Sequence, residues 1–254
     1  MATSTDLYSP VKRQERLPDQ VADQIKDLIL SKQLKVGDRL PPERELCEHF
    51  DVSRTVVREA MRILEAKSLL TSQSGSGTYV IAVPREDVID SIGMYITTQG
   101  AAVSHAKLME VRRLLEVQIA SLAAERAELQ TIQELDELLA KMEETRDDPR
   151  AFARLDLEFH IALARATGNE LLEILLDPFM DALYEGRRLS AELVGAPEEA
   201  IQLHRGILEQ VRAGNTEGAA QAMSVHLDQS ERVTGRALAR EVYGSNKLSD
   251  AGDV

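Results

Sequence analysis

Residues 38–64, DRLPPERELCEHFDVSRTVVREAMRIL, constrain the fold more than any other stretch of this chain. They hold two short helical patterns joined by Phe50, Asp51, Val52 and Ser53, so the chain must turn sharply between two packed helices. In the second pattern Arg54, Arg58 and Arg62 recur every four residues and line one side of a helix. Val56, Val57, Ala60 and Leu64 take the other side and can pack on the first helix. A short helix with an apolar back and a ridge of arginines suits the DNA major groove. The plainer alternative is a solvated face, with the arginines paired to Glu59 or Glu65. Downstream, GSGT at residues 75–78 lies between Leu70 and Val80, where a β-hairpin would turn.

The surrounding pattern sorts into two domains. Residues 17–32 read as an amphipathic helix with Val21, Ile25, Leu28 and Ile29 on one stripe. Val36 and Gly37, then Pro41 and Pro42, mark a turn, and Pro42 fits the first turn of the next helix. Ser53 is a suitable N-cap for the helix after that. Residues 69–72 and 78–82 read as short strands. Pro84 breaks the pattern and separates a domain at 17–83 from one at 84–242. Beyond it the periods are helical throughout: 85–98, 105–127, 130–146, 149–167, 169–193, 197–213 and 216–242. Asp148 followed by Pro149, and the pairs Gly168–Asn169 and Gly214–Asn215, punctuate them as caps. The fold class predicted is mainly α, with a small hairpin in the first domain and an all-α bundle in the second. Residues 1–16 and 243–254 are polar and unpatterned, and are expected to be disordered.

Charge needs care. The chain of 254 residues carries a net charge of −13, which at first argues against nucleic acid. Residues 1–83 hold 12 basic and 12 acidic residues, whereas residues 84–254 hold 18 and 31. The excess acid is therefore confined to the second domain, and a neutral head can still meet phosphates if its cations share a face. The single cysteine, Cys47, excludes an internal disulfide and suits a small apolar slot in a reducing compartment. No apolar run could span a bilayer and Met1–Leu7 lacks the character of a signal peptide, so a cytoplasmic protein without membrane contact is expected.

Three of the five histidines fall on inward stripes of the second domain. Asp156 and His160 sit one turn apart beside Phe152, Leu155, Phe159 and Leu163. His204 lies within the stripe of Leu203, Ile207, Leu208 and Val211, and His226 within that of Ala222, Met223 and Val233. Burying four such groups in an apolar bundle is costly unless something pairs them. A divalent metal does so: three neutral imidazoles and a carboxylate suit zinc, with nickel or manganese as alternatives. Taken singly, each histidine reads more readily as a core residue bonded to a carbonyl; together, and with Asp156, they favour the metal. Arg112 shares an inner stripe with Leu108, Leu115 and Ile119. Its guanidinium needs an anion, either the carboxylate of a bound effector or Glu116 one turn on. Arg113 points away and is expected to pair at the surface with Glu110 or Glu116. His49 and His105 receive no role.

LPPERELCEHFDVSRTVVREAMRILEAKSLL followed by SGSGTYV resembles the winged helix-turn-helix of the GntR family of bacterial transcriptional regulators. EVRRLLEVQIASLAAERA, DLEFH, His204 and His226 resemble the FadR-type effector domain of that family, the FCD domain. The resemblance spans about 17–240. It implies a homodimer on a palindromic double-stranded DNA operator, acting as a repressor, and a small metabolite in the helical domain that alters operator affinity. By position it implies that Arg44, Arg54 and Arg58 contact bases and phosphates, that Thr55 contacts phosphate, and that Gly75 and Ser76 form the wing tip. It also implies an Asp–His–His–His metal site at Asp156, His160, His204 and His226. A hydroxy or keto acid such as lactate, pyruvate or glycolate, or a sugar acid, would suit a metal with open positions. A metal-dependent enzyme acting on an organic acid is the rival reading, but no HExxH, nucleophile elbow or phosphate loop is present. A helical interaction module with structural histidines is the other.

Overall fold

The computed structural model describes residues 15–99 and 104–249, with side chains to residue 241; ten helices and one hairpin are formed among them. Of the ends expected to be disordered, 1–16 and 243–254, residues 1–14 and 250–254 lie outside the described residues, whereas residues 243–249 are helical. The chain divides into two compact units between Asp87 and Val88, just past Pro84.

In the first unit, α1 (Leu17–Leu30), α2 (Glu43–Phe50) and α3 (Arg54–Ala66) precede β1 (Leu70–Gln73) and β2 (Gly77–Val80). Val21 and Ile25 of α1, Leu46 of α2 and Val57, Ala60 and Leu64 of α3 meet Leu70 and Val80 in one core. Each large aliphatic buried there contributes about 1.5–3 kcal/mol. Asp51 takes a left-handed conformation (φ 50°) at the end of α2 and turns the chain. The Ser53 hydroxyl then accepts the Val56 N–H and starts α3. Pro42 stands at the N-cap of α2 rather than inside its first turn, its carbonyl accepting from Glu45 and Leu46. Cys47 is partly buried against this core.

The hairpin is tighter than the spacing suggests. Gly77 pairs with Gln73, and Leu70 with Val80, so only residues 74–76 form the turn. The segment read as a plain turn at 36–42 also joins the sheet. Gly37 and Leu40 donate to the Val80 and Thr78 carbonyls, and Val80 donates back to Asp38. Arg39 bridges Tyr79. A stretch this short, set between Val36–Gly37 and two prolines, shows no alternation in sequence.

The second unit is helical among its described residues. Helix α4 (Arg85–Thr98) carries the chain across the division. It is followed by α5 (His105–Arg126), α6 (Leu129–Glu144), α7 (Pro149–Ala166), α8 (Glu170–Ala191), α9 (Ala196–Arg212) and α10 (Thr216–Ser249). Helix α10 continues past the expected end at 242. Ser104, Asp148 and Asn169 cap α5, α7 and α8 through their side-chain oxygens. Gly168 and Gly214 take φ of 67° and 65° after α7 and α9. Helix α7 packs on α5, α6 and α8, while α10 packs on α5, α8 and α9. Ala153, Ala162 and Ala164 let neighbours approach α7 closely, so its second half is buried on nearly every side. That burial is what forces the polar groups of α7 to find partners inside the bundle. No described helix is long and apolar enough to cross a membrane.

Candidate functional site

Arg54, Thr55, Arg58 and Arg62 are exposed on α3, on the side away from the buried Val57, Ala60 and Leu64. Arg58 donates through Nε to both carboxylate oxygens of Glu43, at 3.1 and 3.0 Å. Arg44 lies 3.6 Å from Glu48. The partners anticipated for a solvated ridge are engaged elsewhere: Glu59 with Arg16, and Glu65 with the Ser72 hydroxyl. Exposed pairs such as Arg58–Glu43 are worth roughly 0–1 kcal/mol, so a phosphate or base edge can displace the acid cheaply. Gly75 stands exposed at the hairpin tip with φ 75°. Ser76 is half-buried and its hydroxyl bonds to that of Tyr79 (2.7 Å), which leaves the tip to Gly75 and backbone groups. A groove between α3 and the hairpin is lined by Arg39, Arg58, Arg62, Glu65 and Gly75. Arg39 escaped the sequence reading because no local pattern distinguishes it.

In the second unit, α7, α9 and α10 bring His160, His204 and His226 together. All three are buried, and one ring nitrogen from each lies within 4.8 Å of the others. His160 Nε2 and His204 Nε2 are 3.3 Å apart. The His204 and His226 ring centres are 4.4 Å apart, and those of His160 and His226 5.0 Å. Burial pushes the His204 imidazolium down to about 3, against the pull of Asp156. Burial, then the neighbouring His204 and His160, holds His226 well below its ordinary value. Both rings are therefore neutral near pH 7 and offer lone pairs. Neither nitrogen of His226 has a hydrogen-bond partner, nor has His204 Nδ1. Buried polar atoms left this way are costly, and three imidazoles converging on one point are the donor set a divalent cation takes.

The carboxylates complete the picture. Glu116 of α5 lies with Oε2 2.5 Å from His160 Nδ1, a charge contact directed off the ring N–H axis. Arg112, fully buried, donates to Glu116 through Nε and through Nη2 (3.2 Å). The same Nη2 lies 3.4 Å from His160 Nε2. Burial would raise the Glu116 carboxyl, but Arg112 and then His160 outweigh it and hold it at about 2. Of the two partners weighed for Arg112, Glu116 is thus present, with the guanidinium still at the edge of the imidazole cluster. Asp156 Oδ1 lies 3.7 Å from His204 Nε2, outside the group of three converging donors. Arg187 of α8 grips it instead, with Nε to Oδ2 and Nη2 to Oδ1 both at 2.6 Å. Burial would raise Asp156, yet Arg187 and then His204 hold it well below the usual carboxylate range.

Arg187 was missed in sequence, although Met180, Leu183, Arg187 and Ser190 share one buried stripe of α8. That is the same signal that marked Arg112. Arg113 corrects another expectation. It reaches across to α10, to Asp228 at 2.6 Å and Glu231 at 3.4 Å, rather than to Glu110 or Glu116 on its own helix. Contact between α5 and α10 brings those acids nearer than spacing along one helix can reveal.

Comparison with known proteins follows the two units. Residues 17–80 match the family model described as bacterial regulatory proteins, gntR family, and residues 107–229 match that of the FCD domain. The chain is 33% identical over 211 residues to the HTH-type transcriptional regulator LutR of Bacillus subtilis, covering 81% of this chain and 95% of the relative. It is 36% identical over 160 residues to the Uxu operon transcriptional regulator of Escherichia coli, covering 62% and 61%. It is 28% identical over 220 residues to the HTH-type transcriptional repressor NanR of an Enterobacter species, covering 84% of each. Among solved structures, Streptococcus agalactiae GntR aligns with a TM-score of 0.57 at 29% identity, over 85% of this chain and 99% of that one.

Proposed function

Since the chain belongs to the GntR family of bacterial transcriptional regulators and carries an FCD effector domain, we propose that it is a cytoplasmic, metabolite-responsive repressor that binds a palindromic operator as a homodimer. The family and the relatives named above are regulators of transcription, not enzymes. In this reading Arg54 and Arg58 enter the major groove, where a guanidinium takes guanine O6 and N7 together. Arg44 and Thr55 hold phosphates, and Gly75 with the Ser76 backbone follows the adjacent strand. The sense of repression follows the relative named a repressor.

The helical unit in this reading holds a divalent metal, zinc above nickel or manganese, on His160, His204 and His226 with Asp156 as a fourth ligand. The observation that carries it is the convergence of three buried imidazoles, each with a nitrogen lacking a hydrogen-bond partner. When bound, the metal supplies an open position for the carboxylate of a small organic acid. Arg112 lies at the edge of the cluster and contributes positive charge there. The effector must favour one arrangement of the two heads, because equal binding to both shifts nothing. A coupling of about 1–3 kcal/mol is enough for a regulatory response.

Replacement of His204 by alanine tests this. Elemental analysis should find metal in the purified wild-type protein and little in the variant. Small carboxylates such as lactate, pyruvate, glycolate or a sugar acid should shift the melting temperature of wild type only. Operator binding should persist in the variant. Equal metal content in the two proteins would remove the site as drawn.

A further inference from the structure

Asp156 faces two cation sites at once. On one side Arg187 takes both of its oxygens at 2.6 Å, and donates through Nη1 to the Ser230 hydroxyl at 2.6 Å. On the other side lies His204 Nε2, 3.7 Å from Oδ1. A small cavity adjoins this pair, lined by Phe152, Asp156, Arg187, Ser190, Gln229 and Val233, and none of the three clustered histidines lines it. Asp156 thus touches both the cavity and, through Oδ1, the edge of the imidazole cluster.

The charges set a second condition. Arg112 is matched by Glu116 and Arg187 by Asp156, so the buried ions balance before a metal binds. A divalent cation adds two positive charges to a site from which water is excluded. One carboxylate leaves half of that uncompensated, and an uncompensated buried charge is costly. It also leaves Arg187 repelled by the metal across a shared carboxylate.

The geometry points to an exchange: Arg187 yields Asp156 to the metal, and its freed guanidinium anchors the second carboxylate of a dianionic effector. Arginine suits this because its planar fork takes any carboxylate two-pronged. Gln229 lines the same space, and its amide can donate a further hydrogen bond. This inference rests on the metal reading above and extends it by naming the charge of the effector and a residue that selects for it.

The test uses the full-length protein as wild type, Arg187→Met and Arg187→Lys, each checked for helical circular dichroism. Calorimetric titration of the metal-free proteins should show Arg187→Met binding zinc about tenfold tighter than wild type, the scale on which groups around metal ligands act. In zinc-loaded wild type, malonate or succinate should raise the melting temperature more than acetate or propionate at equal concentration. Arg187→Met should lose that preference. Should Arg187→Met fail to fold, Arg187→Lys carries the test: an ammonium cannot grip both oxygens, so zinc should bind tighter and the preference should shrink. Unchanged or weaker zinc binding in the folded variants would make Arg187 a fixed support of Asp156 and overturn the exchange. Equal response to mono- and dicarboxylates would remove the second anchor. Failure of wild type to bind zinc would remove the metal reading and this inference with it. Zinc binding without any effect of Arg187 would remove this inference alone.

Discussion

Glu116 Oε2 sits 2.5 Å from His160 Nδ1, while the opposite nitrogen of the same ring faces His204 Nε2 at 3.3 Å. A carboxylate on α5 thereby stands behind a ring on α7 whose other nitrogen, Nε2, faces the cluster. Arg112 grips that carboxylate in turn and keeps it ionised. The sequence Arg112, Glu116, His160 thus runs from a buried guanidinium to a buried donor atom, each group set by the one before. Carboxylates behind metal-binding imidazoles act in this way, fixing tautomer and raising basicity.

Glu116→Gln should consequently weaken zinc binding by about 10- to 100-fold without removing a ligand. It should also destabilise the metal-free protein by up to about 3–5 kcal/mol, since Arg112 keeps its charge and loses its anion. Calorimetric titration and urea unfolding measure the two effects separately. Wild-type zinc affinity in the folded variant would mean that His160 is aimed by something else.

Stability of the metal-free protein should fall as pH drops from about 6.5 toward 3. The His204 imidazolium is depressed from 6.5 to about 3 by burial. Its unfolded counterpart takes up a proton below 6.5 while the folded ring does not, so the contribution is whole above 6.5 and declines below it. His226 is shifted in the same direction and adds to the slope. Each unmatched proton contributes about 1.4 kcal/mol per pH unit. Glu116 adds a second loss, from 4.5 down to about 2, as its folded carboxylate resists the proton that the unfolded one accepts. Urea midpoints measured from pH 7.5 to 4 check this; a flat profile between 6.5 and 5 would mean that the imidazoles are not buried neutral.

Much of this arrangement can be read from spacing alone. Helical periods and caps located α5 to α9 to within a residue or two, because Asp148, Asn169 and the glycines after α7 and α9 act on their nearest neighbours. The three histidines stood out because each interrupts an apolar stripe. What could not be read was pairing between helices. Arg187 holds Asp156 across 31 positions of chain, and Arg113 reaches Asp228 and Glu231 on α10. Such partners are chosen by packing, and periodicity along one helix carries no record of them. The third edge of the small sheet at 37–40 was hidden for a related reason: its bonds go to β2, not to its own neighbours.

Arg54→Ala should weaken specific operator binding by roughly 1–3 kcal/mol and relax preference at one base position. Arg54 is exposed in the first turn of α3 and has no ion pair among the described residues, so its removal disturbs no internal contact. Arg58→Ala should behave similarly but also free Glu43, adding a repulsion toward phosphate. Quantitative footprinting at several salt concentrations distinguishes base from phosphate contact. A wild-type footprint for Arg54→Ala would show that α3 is not the reading element.

Gly77→Ala should damage the hairpin through two separable causes. Gly77 holds φ 120°, which an L side chain rarely adopts, and an added Cβ would lie 2.6 Å from Arg39 Nε and 3.0 Å from Nη2. The backbone cost is roughly 1–3 kcal/mol and cannot be relaxed while Gln73 pairs with this residue. The side-chain collision is cheaper, because the end of Arg39 can swing away. Arg39→Ala together with Gly77→Ala should therefore recover only the smaller part of the loss. Gly93→Ala, a helical position with open space around its Cβ, is the control and should stabilise by about 0.5–1 kcal/mol. Amide exchange across residues 70–80 reports the local effect. Full recovery in the double variant would assign the role of Gly77 to the space it leaves for Arg39, and not to its backbone.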